Sequence, residues 1–177
     1  MVLSADNTKL FSGLDEIFAY KNQLMTDMLT DKTILRLLDD DCKTVADAGK
    51  LVNKQVFPFE FVPDVTEHGQ TFICCDVDVK NVSDKTFLTP VLYVWIFTHK
   101  SKLLLPEGGV RTDKLSSKIV EIINGSRYYG LGELDFYSAI RFSPISQYQG
   151  RILTFYAKDF NRVSPTGKAV PANRRVG

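Results

Sequence analysis

Residues 91–98 read Val-Leu-Tyr-Val-Trp-Ile-Phe-Thr, β-branched or aromatic at almost every position. The apolar part is seven residues long, far short of the roughly 20 that a bilayer-spanning helix needs. With both faces apolar, it fits a central strand of a sheet. The segment before it has a different period. In residues 72–80, Ile73, Cys75, Val77 and Val79 alternate with Asp76, Asp78 and Lys80, which describes a strand with one wet face. Ser83, Asp84 and Lys85 supply the turn, so residues 72–98 read as a long hairpin, half-exposed on its first strand and buried on its second.

Helical periods lie on either side. Residues 12–30 place Leu14, Ile17, Phe18, Leu24, Met25 and Met28 on one face behind a Ser12 cap, with the two methionines as core filler. A short second helix over 32–39 carries Ile34, Leu35, Leu37 and Leu38, and the acids Asp39, Asp40 and Asp41 oppose its dipole and end it. Residues 45–52 allow one more helical turn, and the prolines at 58 and 63 keep the following stretch extended or turned. The clearest helix covers residues 111–124: Thr112 or Asp113 is its cap, Leu115, Ile119, Ile122 and Ile123 its buried stripe, and Gly125 its stop. A glycine-hinged aromatic loop follows at 127–132. Residues 133–142 and 151–160 then read as two strands of a second hairpin.

Helix, helix, hairpin, helix, hairpin is an order without βαβ alternation. It predicts an α+β fold: a mainly antiparallel sheet from two hairpins, packed with an N-terminal helix pair and a central helix. Residues 1–160 form one domain on this reading, and residues 161–177 a flexible basic arm. Over the 177 residues, 44% are hydrophobic and 24% charged, which suits a globular core and excludes global disorder.

The net charge of +1 gives no bulk attraction to nucleic acid or membrane. It is unevenly spread: residues 1–50 hold nine acids and six bases, residues 51–160 twelve of each, and residues 161–177 four bases and no acid. Cys42, Cys74 and Cys75 have no ligand spacing, and strand neighbours point to opposite faces, so no bridge between Cys74 and Cys75 is expected. No secretory signal opens the chain, and folding in a reducing cytoplasm is the expectation.

Chemistry is hard to place. His68 and His99 have no Cys, Asp or Glu at metal-ligand spacing. Gly130-Leu131-Gly132 lacks the third glycine of a dinucleotide fingerprint, and Gly108-Gly109 leads into Val110-Arg111 in place of the Lys-Ser or Lys-Thr of a phosphate loop. No nucleophile elbow is present. Asp76 and Asp78 share a strand face, but a general acid needs burial to lift its pKa, and Lys80 beside them works the other way. No enzyme, cofactor or metal is expected. What stands out is loop aromatics, Tyr128, Tyr129, Phe142 and Tyr148, residue types that serve interfaces well. Arg127, Tyr128, Tyr129 and Leu131 are the expected interface residues.

Residues 14–25, Leu-Asp-Glu-Ile-Phe-Ala-Tyr-Lys-Asn-Gln-Leu-Met, resemble the opening helix of neck proteins from tailed phages of low-GC Gram-positive hosts. Gly130 to Leu134, Arg141-Phe142-Ser143-Pro144, Gly150 to Phe155 and Asp159-Phe160-Asn161 resemble the final hairpin of the same group. Within the neck, size and element order are most similar to tail terminators, with head-completion (stopper or adaptor) proteins as the alternative. A small cytoplasmic α+β enzyme or ligand-binding module is the competing class. The resemblance implies a virion protein, assembled in the host cytoplasm, that forms a homo-oligomeric ring, typically a hexamer. Such a ring caps the tail tube and joins it to the head-completion and connector proteins, with no membrane contact. DNA would pass through the lumen without specific binding, past a lining that includes Asp76 and Asp78, whose like charge gives phosphates no foothold. The basic arm, with Arg174 and Arg175, would dock on an adjacent ring.

Overall fold

The computed structural model describes residues 15–39, 41–42, 44–62, 69–81 and 87–160. The Ser12 cap and the 161–177 arm lie outside them. The elements run α1 (Asp15–Thr30), α2 (Lys32–Leu38), a 3-10 turn (Val45–Lys50), β1 (Val56–Phe57), β2 (Thr71–Asn81), β3 (Phe87–His99), a second 3-10 turn (Lys100–Lys102), α3 (Arg111–Ile123), β4 (Leu131–Phe142) and β5 (Tyr148–Phe160). The five strands form one sheet in the order β1-β2-β3-β5-β4. Both hairpins are antiparallel, β3–β5 pairing joins them antiparallel, and only the two-residue β1 adds in parallel, beside β2. The fold is α+β with a mostly antiparallel sheet, as the element order predicts, and β3 is central.

All three helices contribute to a core on one face of the sheet. Leu24, Met28, Ile34, Leu35, Leu115, Ile119 and Ile123 meet Ile73, Cys75, Leu92, Val94, Ile96, Leu153 and Phe155, each buried. Burying apolar area at about 25 cal/mol per Å² makes this layer the main stabilising term. Two polar tethers fix the helices. The Arg111 guanidinium donates to the carbonyls of Lys102 (2.9 Å) and Leu37 (2.8 Å), and the Gln55 amide donates to those of Leu38 (2.9 Å) and Thr71 (3.1 Å). Leu37 and Leu38 close α2, where carbonyls lack helical partners, so buried side chains meet a need the helix cannot meet itself.

Several boundaries differ from the sequence reading. Helix α3 is capped at Val110, with no side-chain cap bond, and Thr112 is buried in the first turn. Tertiary contacts replace the cap: the Arg111 N–H donates to the Leu103 carbonyl at 2.8 Å, and Leu104 bridges Val110. Gly125, at φ 77°, does follow the Asn124 end of the helix in a left-handed conformation. Tyr148, Gln149 and Gly150, read as a connector, begin β5. Phe72 and Cys74, on the supposedly wet face of β2, are buried in a second cluster with Phe57, Phe97 and Tyr148. Pro90 sits inside β3, where the ladder to β5 is interrupted between Leu88 and Val91, so its missing N–H removes no bond there.

Gly150 lies between Phe97 of β3 and Phe142 of β4 in register. A Cβ there would collide with the Ile96 carbonyl oxygen and come within 2.7 Å of the Phe97 Cα, both backbone. Gly150→Ala should therefore lower the urea-unfolding free energy by about 3 kcal/mol, since the strands themselves must part. Gly49→Ala, where an added Cβ meets nothing within 4 Å, should change it by less than about 0.5 kcal/mol.

Candidate interaction surface

The loop after α3 runs along the edge of β4 as a surrogate strand. Gly125 donates to the Leu134 carbonyl and Leu134 to that of Ser126, both at 2.8 Å, and the Asn124 side chain accepts the Phe136 N–H at 2.8 Å. This guards the edge as far as Phe136. Arg127 is exposed and paired with Glu133 at 2.7 Å, and Tyr128 is 74% exposed. Leu131 opens β4 opposite Lys158.

Tyr129 departs from its expected role. It is 1% exposed, its hydroxyl donates to Asp27 of α1 at 2.7 Å, and its ring lies 6.0 Å from that of Tyr20. It is an internal tie between loop and helix, because an apolar ring with one polar tip buries well when that tip finds an acceptor. Tyr148 is likewise fully buried, and Phe142 packs against the second cluster, 5.8 Å from Phe97. Arg174 and Arg175 lie outside the described residues.

The sheet face opposite the helices is the more extensive surface, and cross-strand register lays it out in rows. Phe72, Phe97, Gly150 and Phe142 form a first row, over which Phe57 and Phe61 stack at 4.2 Å with Phe61 5.6 Å from Phe72. Cys74, Trp95, Ile152 and Ile140 form the second, and Asp76, Tyr93, Thr154 and Ser138 the third. Asp78, Val91 and Tyr156 form the fourth, with Tyr137 against Tyr156 at 4.6 Å. Trp95 and Tyr93 are 5.6 Å apart and only half-buried, while Tyr137 and Ile140 stay 65% and 54% exposed. The run read as buried on both faces is thus covered on one face along its length, while on the other Val91 and Phe97 are buried and Tyr93 and Trp95 between them are only half-buried. Tyr93, Trp95, Tyr137, Ile140 and Tyr156 were not singled out in the sequence; the Tyr-x-Trp spacing at 93 and 95 was the available signal.

The acid pair is split. Asp76 forms an ion pair with Lys21 of α1 and also accepts the Val77 N–H at 2.7 Å. Asp78 is exposed. The two remain on one face; of the pair only Asp78 is without an ion pair, and Asp135 of β4, opposite Tyr156, is exposed on that face as well. Among the described residues no group of three or more His, Cys, Asp or Glu is placed to hold a metal ion, and no helix is long and apolar enough to cross a membrane. Burial pushes the Cys74 and Cys75 thiols up to about 12, and Cys74 and Cys75 fall in separate clusters on opposite faces.

Residues 31–157 match the family model described as YomW, a span that takes in helices α2 and α3, strands β1 to β4 and β5 up to its last three residues. The chain belongs to the YomW family. Among curated proteins none matches it. The span matched to YomW begins at Asp31, whose carboxylate caps α2 by accepting the N–H groups of Thr33 (2.8 Å) and Ile34 (3.0 Å). The whole outer face from β2 to β4 lies within it.

Burial first, and then Asp27, hold the Tyr129 hydroxyl far above the usual tyrosine range. The folded state thus keeps Tyr129, Cys74 and Cys75 protonated where the unfolded chain releases their protons. Raised folded-state values give stability that is complete below the unfolded pKa and lost as pH rises, so unfolding free energy should fall steadily above about pH 9. Tyr129→Phe should cost about 1 kcal/mol at neutral pH and flatten the part of that decline lying above about pH 10, as urea titrations at each pH would measure.

Proposed function

We propose that this chain is a structural protein of the tailed-phage neck: a tail terminator that closes into a homo-oligomeric ring, caps the tail tube and presents a docking surface to the head-completion proteins. The observation that carries the reading is the bare half of the outer face. A chain that lays three helices over one side of its sheet leaves Tyr137 and Ile140 exposed on the other, beside Trp95, Tyr93 and Tyr156, which are only half-buried. Contiguous exposed aromatic surface of this kind marks contact with another macromolecule, and Tyr and Trp are the residue types that dominate such contacts. In a closed ring every copy meets the same neighbour through the same pair of patches, so such a face is satisfied once per subunit.

The chemistry of the acid pair accords with a structural role. Asp76 is engaged by Lys21 and by its own strand, which suits a scaffold residue better than a proton donor. For a DNA passage, Asp78 is the residue that would face phosphates with an unpaired charge. Arg127 and Tyr128 belong to the exposed part of the loop interface, and docking on the adjoining ring is assigned to residues 161–177, with Arg174 and Arg175, which lie outside the described residues.

Tyr137→Asp combined with Ile140→Asp should leave the subunit folded, since both side chains are exposed. It should abolish rings in negative-stain images and reduce the light-scattering mass to that of one chain, whereas the unaltered protein assembles on tube ends. Rings that bind a connector but not tubes would assign the head-completion role instead. A wild-type protein that stays monomeric in the presence of tubes would sink the proposal.

A further inference from the structure

A second feature lies on the helix side of the sheet, at the end of the β4–β5 hairpin. Arg141 and Arg151 are direct cross-strand partners there. Like charges placed opposite each other on adjacent strands destabilise a sheet, so this pair calls for compensation. Asp113, in the first turn of α3, supplies half of it through an ion pair with the Arg151 Nε at 2.6 Å. No other described residue pairs with Arg141, which is exposed. Arg141, Arg151 and Asp113 line a cavity of about 360 Å³ together with the apolar Leu103 and Val110. That volume lies in the range of small-ligand pockets.

We infer that this cavity is a binding site for a carboxylate monoanion with an apolar body, held by Arg141 and Arg151. Two guanidiniums against one carboxylate leave a single positive charge, which one further carboxylate neutralises. A phosphate dianion would overshoot that balance and face Asp113 as well. The guanidinium fork presents paired N–H donors that match the two oxygens of a carboxylate, while Leu103 and Val110 receive the carbon skeleton. The site stands apart from the outer aromatic face and does not depend on ring formation. The carboxylate comes from a free organic acid or from an acidic side chain of a second copy of the chain.

The test uses benzoate as the probe and inorganic phosphate as the comparator, followed by NMR of the arginine side-chain N–H resonances and by calorimetry. Benzoate should give a saturable shift at Arg141 and Arg151 and bind more tightly than phosphate. Arg141→Gln should weaken benzoate about tenfold or more, with Arg141→Lys in between because it keeps the charge and loses the fork. The urea midpoint of Arg141→Gln should equal or exceed that of the wild type, because the change relieves a repulsion at an exposed position, so lost binding cannot be ascribed to misfolding. Sedimentation separates the two sources: if Arg141→Gln dissociates an assembly that excess benzoate also dissociates, the carboxylate belongs to a second copy; an unchanged mass with benzoate bound assigns it to a free acid. Absence of a saturable benzoate shift, equal binding by Arg141→Gln, or tighter binding of phosphate would overturn the assignment.

Discussion

The architecture depends on how β3 is covered. It pairs with β2 on one side and β5 on the other, and its residues alternate between two apolar faces. Leu92, Val94 and Ile96 are completely buried beneath the helices. Those helices are short, sixteen, seven and thirteen residues, and they supply one layer only. A strand with two apolar faces therefore sits in a molecule with cover for about one and a half. The excess is partly met by the cluster of Phe57, Phe61, Phe72, Phe97, Phe142 and Tyr148, whose aromatic contacts add a small second core at the end of the sheet where β1 joins. Beyond Trp95 that device stops.

Buried polar groups explain why the helical layer holds a single arrangement. Each tether reaches across distant parts of the chain: Arg111 spans 74 positions to Leu37, Tyr129 spans 102 to Asp27, and Gln55 spans 17 to Leu38. A hydrogen bond adds only about 1 kcal/mol in net terms, but leaving such a group unpaired in the core costs more. Apolar packing alone tolerates sliding between layers. These bonds penalise it, and Thr71 and Thr98, bonded through their hydroxyls at 2.7 Å, do the same within the sheet.

Periodicity made most of the fold legible. The alternation at 73–79 and the β-branched run at 91–98 placed β2 and β3, and Leu115, Ile119 and Ile123 placed α3, because each pattern repeats over several turns or pleats. The site was less legible, for a physical reason: exposure is a property of what lies on top of a strand, and that is decided by distant segments. Apolar Trp95 reads the same whether a helix covers it or not. Tyr129 illustrates the converse. Adjacent to Tyr128 in a glycine-flanked loop, it has the same local signal, yet the loop's bonds to Leu134 turn one ring towards Asp27 and leave the other in water. The missing cap on α3 has the same origin, since Arg111 anchors that helix through residues far away in sequence.

The two edges of the sheet are treated differently, and this bears on how copies can meet. On β2, the parallel β1 covers only the backbone opposite Val56 and Phe57, and beyond it the Asp76 carboxylate takes the neighbouring N–H while holding Lys21. A charged side chain folded onto its own strand is an effective block to strand addition. On β4, the loop bonds end at Phe136, and the rest of that edge carries Tyr137 and Ile140, both exposed. A bulge between Phe136 and Ser138 re-aims Tyr137 against Tyr156 on the outer face. Apolar surface and open edge therefore coincide at β4, beside the exposed Asp135 in register with Tyr156, while the edge at β2 is closed. In the ring reading, a molecule polarised in this way favours contacts between unlike patches over a self-paired edge, which is the arrangement that rotation closes into a ring.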